Sequence, residues 1–285
     1  DHRDLHLSLR RQRQMCIRDS NEPIYGLWVT LESPSITEMA VSLGMDWVLI
    51  DAEHGHLDWK DISAHISAAM RSDTVIIVRI AERSTALSKR ALDIGADGIM
   101  IPWMESMEEV QKAVSDCNYP PEGRRGIGGE RATAWGQCLK EHTAEANENV
   151  LVIPMIESID AVPNVANMCK VDGVEIFFFG PADFSSTAGF RGQWEGPGIA
   201  EKILELKNII KDSGKYCGVV STSNQNLTDR LDQGFQMLAI GTDGGLMLRS
   251  LHESLKKVNR DRSAATSLDP MDAVSYTHLT LPTKA

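Results

Sequence analysis

Charged side chains of this 285-residue chain stand at the ends of three apolar, strand-like runs. Asp-Ala-Glu-His at 51–54 ends one run, Ile-Glu-Ser at 156–158 ends a second, and Gly-Pro-Ala-Asp at 180–183 follows a third. In an eight-stranded β/α barrel the strand ends face one mouth, where catalytic residues are collected. Two carboxylates and a histidine at one mouth indicate a divalent metal ion with an acid/base partner.

Glu157 and Asp183 are the candidate metal ligands. Each follows one of two consecutive predicted strands, so a barrel would place the two carboxylates side by side. A hard ion such as Mg²⁺ or Mn²⁺ is commonly held by one or two carboxylates, with water and substrate completing its coordination. The alternatives are structural: Asp183 would cap a helix and Glu157 would form a salt bridge.

His54, with Asp51 three residues before it, is the candidate acid/base residue, because a carboxylate near an imidazole stabilises its charged form. The alternative is a hydrogen-bonded loop histidine with no catalytic part. Arg79 ends another apolar run, where its guanidinium can bind a carboxylate or enolate through two hydrogen bonds, or form a structural ion pair. Trp103 ends the next run and is either a pocket wall or a packing residue.

Composition and missing motifs exclude several classes of protein. The net charge of −11 argues against nucleic-acid binding and against an anionic membrane surface. No apolar run reaches the roughly 18 residues of a spanning helix. No lysine lies within or at the end of a predicted strand, which argues against a Schiff-base enzyme, and no nucleophile elbow, Walker loop or dinucleotide fingerprint is present. The five scattered cysteines favour reduced thiols in a cytoplasmic protein.

Eight apolar runs alternate with amphipathic stretches, which predicts a fold of the α/β class, a single (β/α)8 TIM barrel over 21–260. The predicted strands lie at 25–30, 46–51, 74–79, 98–103, 150–156, 174–179, 216–220 and 237–241. A doubly wound open sheet is the alternative. That fold would prefer a glycine-rich phosphate turn after its first strand, and residues 30–34 contain no glycine.

The helix predictions rest on apolar residues at helical spacing. The first predicted helix has one apolar stripe, made of Ile36, Met39, Ala40 and Leu43. A capping box of Ser35 and Glu38 is expected to open this helix. Similar stripes at 199–210 and 251–258 predict two later helices. The stretch from 119 to about 149 breaks the alternation and is predicted to be a long functional loop or lid.

Residues 1–20 and 261–285 fit neither pattern and are expected to be non-native or disordered tails of the barrel. Residues 1–20 lack the apolar core and the small-residue cleavage site of a secretory signal. Both ends resemble translated adapter sequence beside a natural reading frame. We therefore leave both tails out of the fold prediction.

At these residues the chain resembles the HpcH/HpaI aldolase family of metal-dependent (class II) pyruvate aldolases, to which the citrate lyase β-like enzymes are related. The resemblance covers about 23–258. Its motifs are Gly26-Leu27-Trp28, Asp51-Ala52-Glu53-His54-Gly55, Val78-Arg79, Tyr119-Pro120-Pro121-Glu122-Gly123-Arg124-Arg125-Gly126, Ile156-Glu157-Ser158 and Gly180-Pro181-Ala182-Asp183-Phe184-Ser185. One departure is Met155, because many members have glutamine two residues before the metal glutamate. The segment 190–197 is specific to a subfamily and has no predicted role.

The resemblance implies that Glu157 and Asp183 ligate Mg²⁺, Mn²⁺ or a similar ion such as Co²⁺. It makes His54, supported by Asp51, the acid/base residue. Arg79 would contact the oxygens of pyruvate.

The backbone around Gly180, Pro181 and Ala182 would help seat the pyruvate carboxylate. The implied reaction is metal-dependent, reversible aldol cleavage of a 4-hydroxy-2-oxo acid to pyruvate and an aldehyde. The resemblance also implies a homohexamer, a trimer of dimers in which the last helix packs against a neighbouring barrel. Two alternatives stay open: a lyase acting on a CoA thioester, which needs a basic surface for the CoA phosphates, and a non-catalytic oligomeric barrel.

Overall fold

The computed structural model of the protein describes residues 22–260, in which eight parallel strands close into a barrel in chain order. The strands are β1 (Ile24–Val29), β2 (Trp47–Asp51), β3 (Val75–Arg79), β4 (Gly98–Ile101), β5 (Leu151–Ile156), β6 (Ile176–Phe179), β7 (Tyr216–Val220) and β8 (Met237–Thr242). The predicted (β/α)8 barrel is therefore confirmed. The predicted tails at 1–20 and 261–285 lie outside the described residues.

Helices follow the strands around the outside of the barrel. They are α1 (Pro34–Ser42), α2 (Trp59–Ala68), α3 (Thr85–Asp93), α4 (Met107–Cys117), α5 (Leu139–Asn149), α6 (Val165–Met168), α7 (Pro181–Thr187), α8 (Ile199–Asp212), α9 (Asn224–Asp232) and α10 (Asp243–Lys257). Two short 3-10 helices, Arg131–Thr133 and Ile159–Asn164, precede α5 and α6. Within residues 22–260, no helix is both long enough and apolar enough to cross a bilayer.

The strands are buried on both faces, which is why their sequences read as nearly continuous apolar runs. Inward-facing side chains fill the barrel with a cluster that includes Trp28, Trp47 and Phe178, and outward-facing ones pack against the helices. The register places Asp51 at the end of β2 opposite Arg79 at the end of β3. Two charged groups of the predicted site are therefore neighbours because of strand pairing alone.

The strand predictions agree with the structure to within two residues at each end. The difference from the predicted strands that matters most for the site is at β4. This strand ends at Ile101, so Trp103 lies beyond it. Trp103 has a φ of 55°, a left-handed conformation that is uncommon for a residue with a side chain. The prediction that Trp103 ends a strand is wrong.

The predicted start of α1 is also wrong, and its predicted apolar stripe is confirmed only for Ala40, which is buried, and Ile36, which packs against the core. The helix begins at Pro34 after Ser33, whose side chain makes no capping hydrogen bond, so the capping box at residues 35 and 38 is absent. Two members of the predicted stripe, Met39 and Leu43, are 60% and 74% exposed. Thr37, which was not on the stripe, is fully buried instead.

The stretch from 119 to 149 is less irregular than predicted, because it contains a 3-10 helix and the eleven-residue α5. The sequence of α5 has little apolar periodicity, and only His142 and Ala146 are buried. The prediction for 199–210 is confirmed, since α8 buries Ile199, Ile203, Leu206 and Ile210.

Candidate active site

A cavity of about 270 Å³ lies at the carboxyl ends of the barrel strands. The predicted site residues that line it are Asp51, His54, Arg79, Glu157, Gly180, Pro181, Ala182 and Asp183. These residues lie at or just after the carboxyl ends of β2, β3, β5 and β6. The closed barrel brings these strand ends to one mouth. Trp103 is the one predicted site residue that does not line the cavity.

Asp51 and Arg79 form a buried ion pair at the floor of the cavity. Arg79 donates from Nε to Asp51 Oδ1 at 2.9 Å and from Nη2 to Oδ2 at 2.6 Å. Trp28 donates its indole N–H to Asp51 Oδ2 at 3.0 Å and carries the Arg79 guanidinium over its ring at 4.6 Å. Burial by itself raises the pKa of Asp51, but the hydrogen bonds and charge of Arg79 outweigh it and lower that pKa.

Glu53 belongs to this charge cluster, although it was not a predicted site residue. Its Oε2 lies 2.8 Å from Arg79 Nη1, so Arg79 is paired with two carboxylates. Burial raises the pKa of Glu53, and the charge of Arg79 opposes that shift. Its sequence signal was its place between Asp51 and His54 in the segment that follows β2.

His54 lines the cavity from an exposed position in the turn after β2. Its backbone N–H donates to Asp51 Oδ1 at 3.2 Å. The predicted carboxylate–imidazole pair takes a different form here, because Asp51 directs its side-chain hydrogen bonds to Arg79 and Trp28. Asp51 fixes the backbone of the turn that carries His54, and the imidazole faces the cavity from there.

Glu157 follows β5 and is buried, with 1% of its surface exposed. Burial raises the pKa of Glu157 to about 7, against the hydrogen bond from Trp103 and the charge of Arg79. Trp103 donates its backbone N–H to Glu157 Oε1 at 2.8 Å. Its contribution to the site is therefore this hydrogen bond, whereas its aromatic ring was the candidate wall of the pocket. A Cβ on residue 180 would lie 2.4 Å from Glu157 Oε2, so Gly180 leaves the space that this carboxylate occupies.

Asp183 lies in the first turn of α7, and Gly180 precedes that helix as its N-cap residue. The predicted alternative of an N-cap role for Asp183 is therefore wrong. Asp183 lines the same cavity as Glu157, and its charge contributes to raising the pKa of Glu157. The two carboxylates are close enough to repel each other, which is a common reason for a cation to bind.

The donor set fits a hard divalent cation that takes much of its coordination from water and substrate. Within residues 22–260, no three or more His, Cys, Asp or Glu side chains lie close enough together to hold a metal ion among themselves. Two oxygen ligands suffice for an ion such as Mg²⁺, which keeps several waters and binds through one or two carboxylates. The buried Glu157, held by an amide on one oxygen and given room by Gly180, meets this requirement with Asp183.

The cavity is also lined by polar side chains that were not predicted, among them Trp194, Ser221, Thr222 and Arg249. Ser221 and Thr222 follow β7 directly, so their position after a predicted strand was the available signal. Trp194 lies in the segment 190–197, which had no predicted role. Arg249 lies in the second turn of α10, and no sequence pattern distinguishes it from an exposed helical arginine.

None of the cysteines within residues 22–260 lines this cavity. The four that the structure describes are free, and three of them are buried. Burial raises the pKa of Cys117 to about 12, so its thiol stays protonated. These side chains behave as small apolar residues of the core.

Comparisons with known proteins agree with this architecture. The family model for HpcH/HpaI aldolase/citrate lyase matches residues 24–250. A hydroxypyruvate/pyruvate aldolase from Roseobacter denitrificans is 34% identical over 231 residues, which cover 80% of this chain and 90% of that protein. A 4-hydroxy-2-oxovalerate aldolase from Novosphingobium aromaticivorans is 34% identical over 241 residues, which cover 84% and 91%.

The fold has a counterpart among solved structures. The crystal structure of an HpcH/HpaI aldolase/citrate lyase family protein from Burkholderia cenocepacia superposes with a TM-score of 0.83. The two sequences are 30% identical, and the match covers 88% of this chain and 99% of that one. The family model spans the whole barrel from β1 to α10, including every residue of the cavity described above. The chain therefore belongs to the HpcH/HpaI aldolase/citrate lyase family.

Proposed function

We propose that the protein catalyses reversible aldol cleavage of a 4-hydroxy-2-oxo acid to pyruvate and an aldehyde, with a divalent metal ion bound by Glu157 and Asp183. Membership of an aldolase and lyase family makes the chain a carbon–carbon lyase. The observation that carries the proposal is that the paired carboxylates, His54 and Arg79 line one cavity. The aldolase names of the relatives from Roseobacter and Novosphingobium support the same reaction.

The metal site would consist of Glu157 and Asp183, and oxygen ligands of this kind accept Mg²⁺, Mn²⁺ or Co²⁺. When bound, such an ion supplies a positive charge that stabilises negative charge developing on the oxo-acid oxygens. Glu157 must be ionised to bind it, and the raised pKa of Glu157 makes protons compete with the metal near neutral pH.

Arg79 and the turn after β6 would bind the pyruvate half of the substrate. Arg79 is held in place by Asp51, Glu53 and the ring of Trp28, so its orientation does not depend on the substrate. A pre-oriented cation stabilises charge without reorganising during the reaction. The backbone around Gly180, Pro181 and Ala182 would seat the carboxylate.

His54 would act as the base in the cleavage direction. An unprotonated ring nitrogen of His54 accepts the proton of the 4-hydroxyl group while the C3–C4 bond breaks. The electron pair of that bond passes to the pyruvate enolate, the aldehyde carbonyl forms at C4, and protonation of C3 completes pyruvate. The exposed position of His54 allows the proton to exchange with solvent.

Assembly into a homo-oligomer is part of the proposal, with the hexamer implied by the family resemblance. The helix α10 has a row of exposed apolar residues, Met247, Leu248, Leu251, Leu255 and Val258. An exposed apolar patch of this kind is typical of a protein–protein contact. A cytoplasmic location agrees with the free cysteines.

The test is pyruvate release from a panel of 4-hydroxy-2-oxo acids, followed with lactate dehydrogenase. We expect metal-stripped protein to be inactive and Mg²⁺, Mn²⁺ or Co²⁺ to restore activity. Glu157→Gln should abolish the metal-dependent rate, and His54→Ala should lower it by roughly 10²- to 10⁴-fold. Glu201→Gln, which removes an exposed carboxylate outside the cavity, is the matched control and should keep the rate of the parent protein.

Normal metal-dependent turnover by Glu157→Gln would refute the assigned metal site. Inactivity across the panel, with metal bound, would refute the aldol cleavage and favour the CoA-thioester lyase.

A further inference from the structure

We propose that the part of the cavity lined by Trp194 and by residues after β7 and β8 is an anion subsite that binds a carboxylate or phosphate at the far end of the aldehyde half. Its central residue is Arg249. This inference rests on the proposed aldol cleavage and names its substrate class: 4-hydroxy-2-oxo acids whose aldehyde half carries a negative charge. The anion subsite consists of Trp194, Ser221, Thr222 and Arg249.

The four residues of the anion subsite share one property: each has a buried polar atom without a hydrogen-bond partner among residues 22–260. These atoms are Trp194 Nε1, Ser221 Oγ, Thr222 Oγ1 and Arg249 Nη2. All four residues line the same cavity. Buried polar groups in native proteins are nearly always paired, and leaving one unpaired costs free energy. A ligand that accepts hydrogen bonds in this part of the cavity would pair them.

The charge of Arg249 makes the expected ligand an anion. Arg79, the other arginine of the cavity, is neutralised by Asp51 and Glu53. By contrast, Arg249 donates from Nη1 to the carbonyl oxygen of Thr222, and the ion pairs found within residues 22–260 do not include it. A guanidinium presents donors in a flat fork that matches a carboxylate or a phosphate.

The position of the anion subsite assigns it to the aldehyde half of the substrate. Glu157 and Arg79, which would bind the pyruvate half, follow β5 and β3. Ser221 and Thr222 follow β7, and Arg249 lies in the helix after β8. A substrate with its oxo-acid end at the metal carboxylates therefore extends its other end toward Arg249.

Electrostatics favours the same orientation. Glu53, Glu157 and Asp183 lie close enough for their charges to influence one another, so an additional anion on their side of the cavity is repelled. Arg249 offers the opposite charge on the other side. The opposite charges at the two ends of the cavity thus favour one orientation of the substrate, with the negative group of its aldehyde half at Arg249.

The experiment compares charged and neutral aldehydes as acceptors in the addition direction, with pyruvate and the metal-loaded protein. The pairs are succinic semialdehyde with butanal, and glyceraldehyde 3-phosphate with glyceraldehyde. We expect kcat/KM to favour the charged member of at least one pair. Arg249→Met should lower that preference by about 10- to 100-fold, since it removes hydrogen bonds to a charged group. Its effect on the neutral aldehyde should stay within about threefold.

Two further variants separate binding from folding. Thr222→Val removes a hydroxyl that has no partner among residues 22–260, so it should keep the fold and lower the preference for the charged aldehyde by about 3- to 10-fold. Arg191→Met removes an exposed arginine that does not line the cavity, and it should leave the preference unchanged. The pair that shows the preference identifies the anion as a carboxylate or a phosphate.

Equal rates for charged and neutral aldehydes, or a preference that survives Arg249→Met and Thr222→Val, would overturn the anion subsite. Equal loss on charged and neutral aldehydes would place Arg249 at the pyruvate half and overturn it as well. If no aldehyde reacts, the proposed aldol cleavage fails, and calorimetry on metal-free protein tests the subsite separately. Succinate or inorganic phosphate should then bind about tenfold more weakly to Arg249→Met, and unchanged binding would refute the subsite.

Discussion

Arg79 is fixed in position before any substrate binds. Its guanidinium donates two hydrogen bonds to Asp51, forms an ion pair with Glu53 and lies over the ring of Trp28. The sequence left two roles open for Arg79, substrate binding and a structural ion pair. The two are compatible, because the ion pair orients the guanidinium that is proposed to bind pyruvate. Such an arrangement is costly to break, since removing one partner leaves the other charged and buried.

We expect Asp51→Asn and Arg79→Met each to lower the free energy of unfolding by about 3–5 kcal/mol. The double variant should lose clearly less than the sum of the two, because neither charge is then left alone. Denaturant unfolding of the four proteins of this cycle measures the coupling. Additive losses would contradict the ion pair as the source of stability.

The stability that Asp51 contributes also depends on pH. Since the folded protein lowers the pKa of Asp51 below 3.8, this stability is complete above about pH 4 and is lost as the pH falls through the folded value. Asp51→Asn should flatten that acid limb of the stability curve.

At the residue scale, the sequence predicted which groups reach the mouth but not which partners they take. Strand ends located Asp51, Arg79 and Glu157 because the alternation of buried runs was clear. The partner of Asp51 depended on the register of β2 and β3, which pairs it with Arg79. Arg249 was missed because the sequence does not show which face of α10 packs against the barrel. The apolar residues of this helix, which would normally mark the buried face, are exposed.

At the element scale, α1 and α2 are joined by a buried polar contact. Thr37 Oγ1 lies 2.8 Å from His65 Nδ1, and both residues are fully buried. This contact accompanies the part of the predicted apolar stripe of α1 that is wrong. Thr37 faces α2 beside the buried Ala40, whereas Met39 and Leu43 are exposed. The spacing of apolar residues cannot identify the buried face of a helix when a polar residue on that face is buried through a hydrogen bond.

The buried His65 makes the stability of the barrel sensitive to pH below 6.5. Burial lowers the pKa of His65 below 6.5, so the unfolded chain takes up a proton at a higher pH than the folded one. Stability from this residue is complete above pH 6.5 and falls as the pH decreases. The slope from one such proton is at most about 1.4 kcal/mol per pH unit.

Denaturant unfolding between pH 7.5 and 5.5, at one protein concentration, measures this slope. His65→Gln should reduce it, whereas His56→Gln, which replaces an exposed histidine, should keep it. A slope that is the same in all three proteins would contradict the prediction.

At the scale of the whole molecule, the closed barrel was the most predictable feature. Eight runs of apolar residues, each followed by a helical or irregular segment, leave few ways to bury both faces of every strand. The stretch from 119 to 149 was the exception, since the polar α5 has too few buried residues to show a period.

The exposed row on α10 predicts how that assembly can be broken. Leu251 and Leu255 are 53% and 45% exposed, and replacing both with glutamate would place charges in an apolar contact. We expect sedimentation to show an oligomer for the parent protein and smaller particles for the double variant. Lys256→Glu changes the charge of the same helix away from the row and should keep the oligomer. A parent protein that sediments as a monomer would contradict the prediction.

Trp28 is both part of the barrel interior and part of the cavity. Its ring packs at 5.6 Å from that of Phe178 inside the barrel, while its indole N–H binds Asp51 and its face supports Arg79. A change at Trp28 therefore cannot alter the chemistry without also disturbing the core. New substrate ranges on this scaffold are consequently expected to arise at the rim, where residues after β7 and β8 can change without disturbing the packing around Trp28.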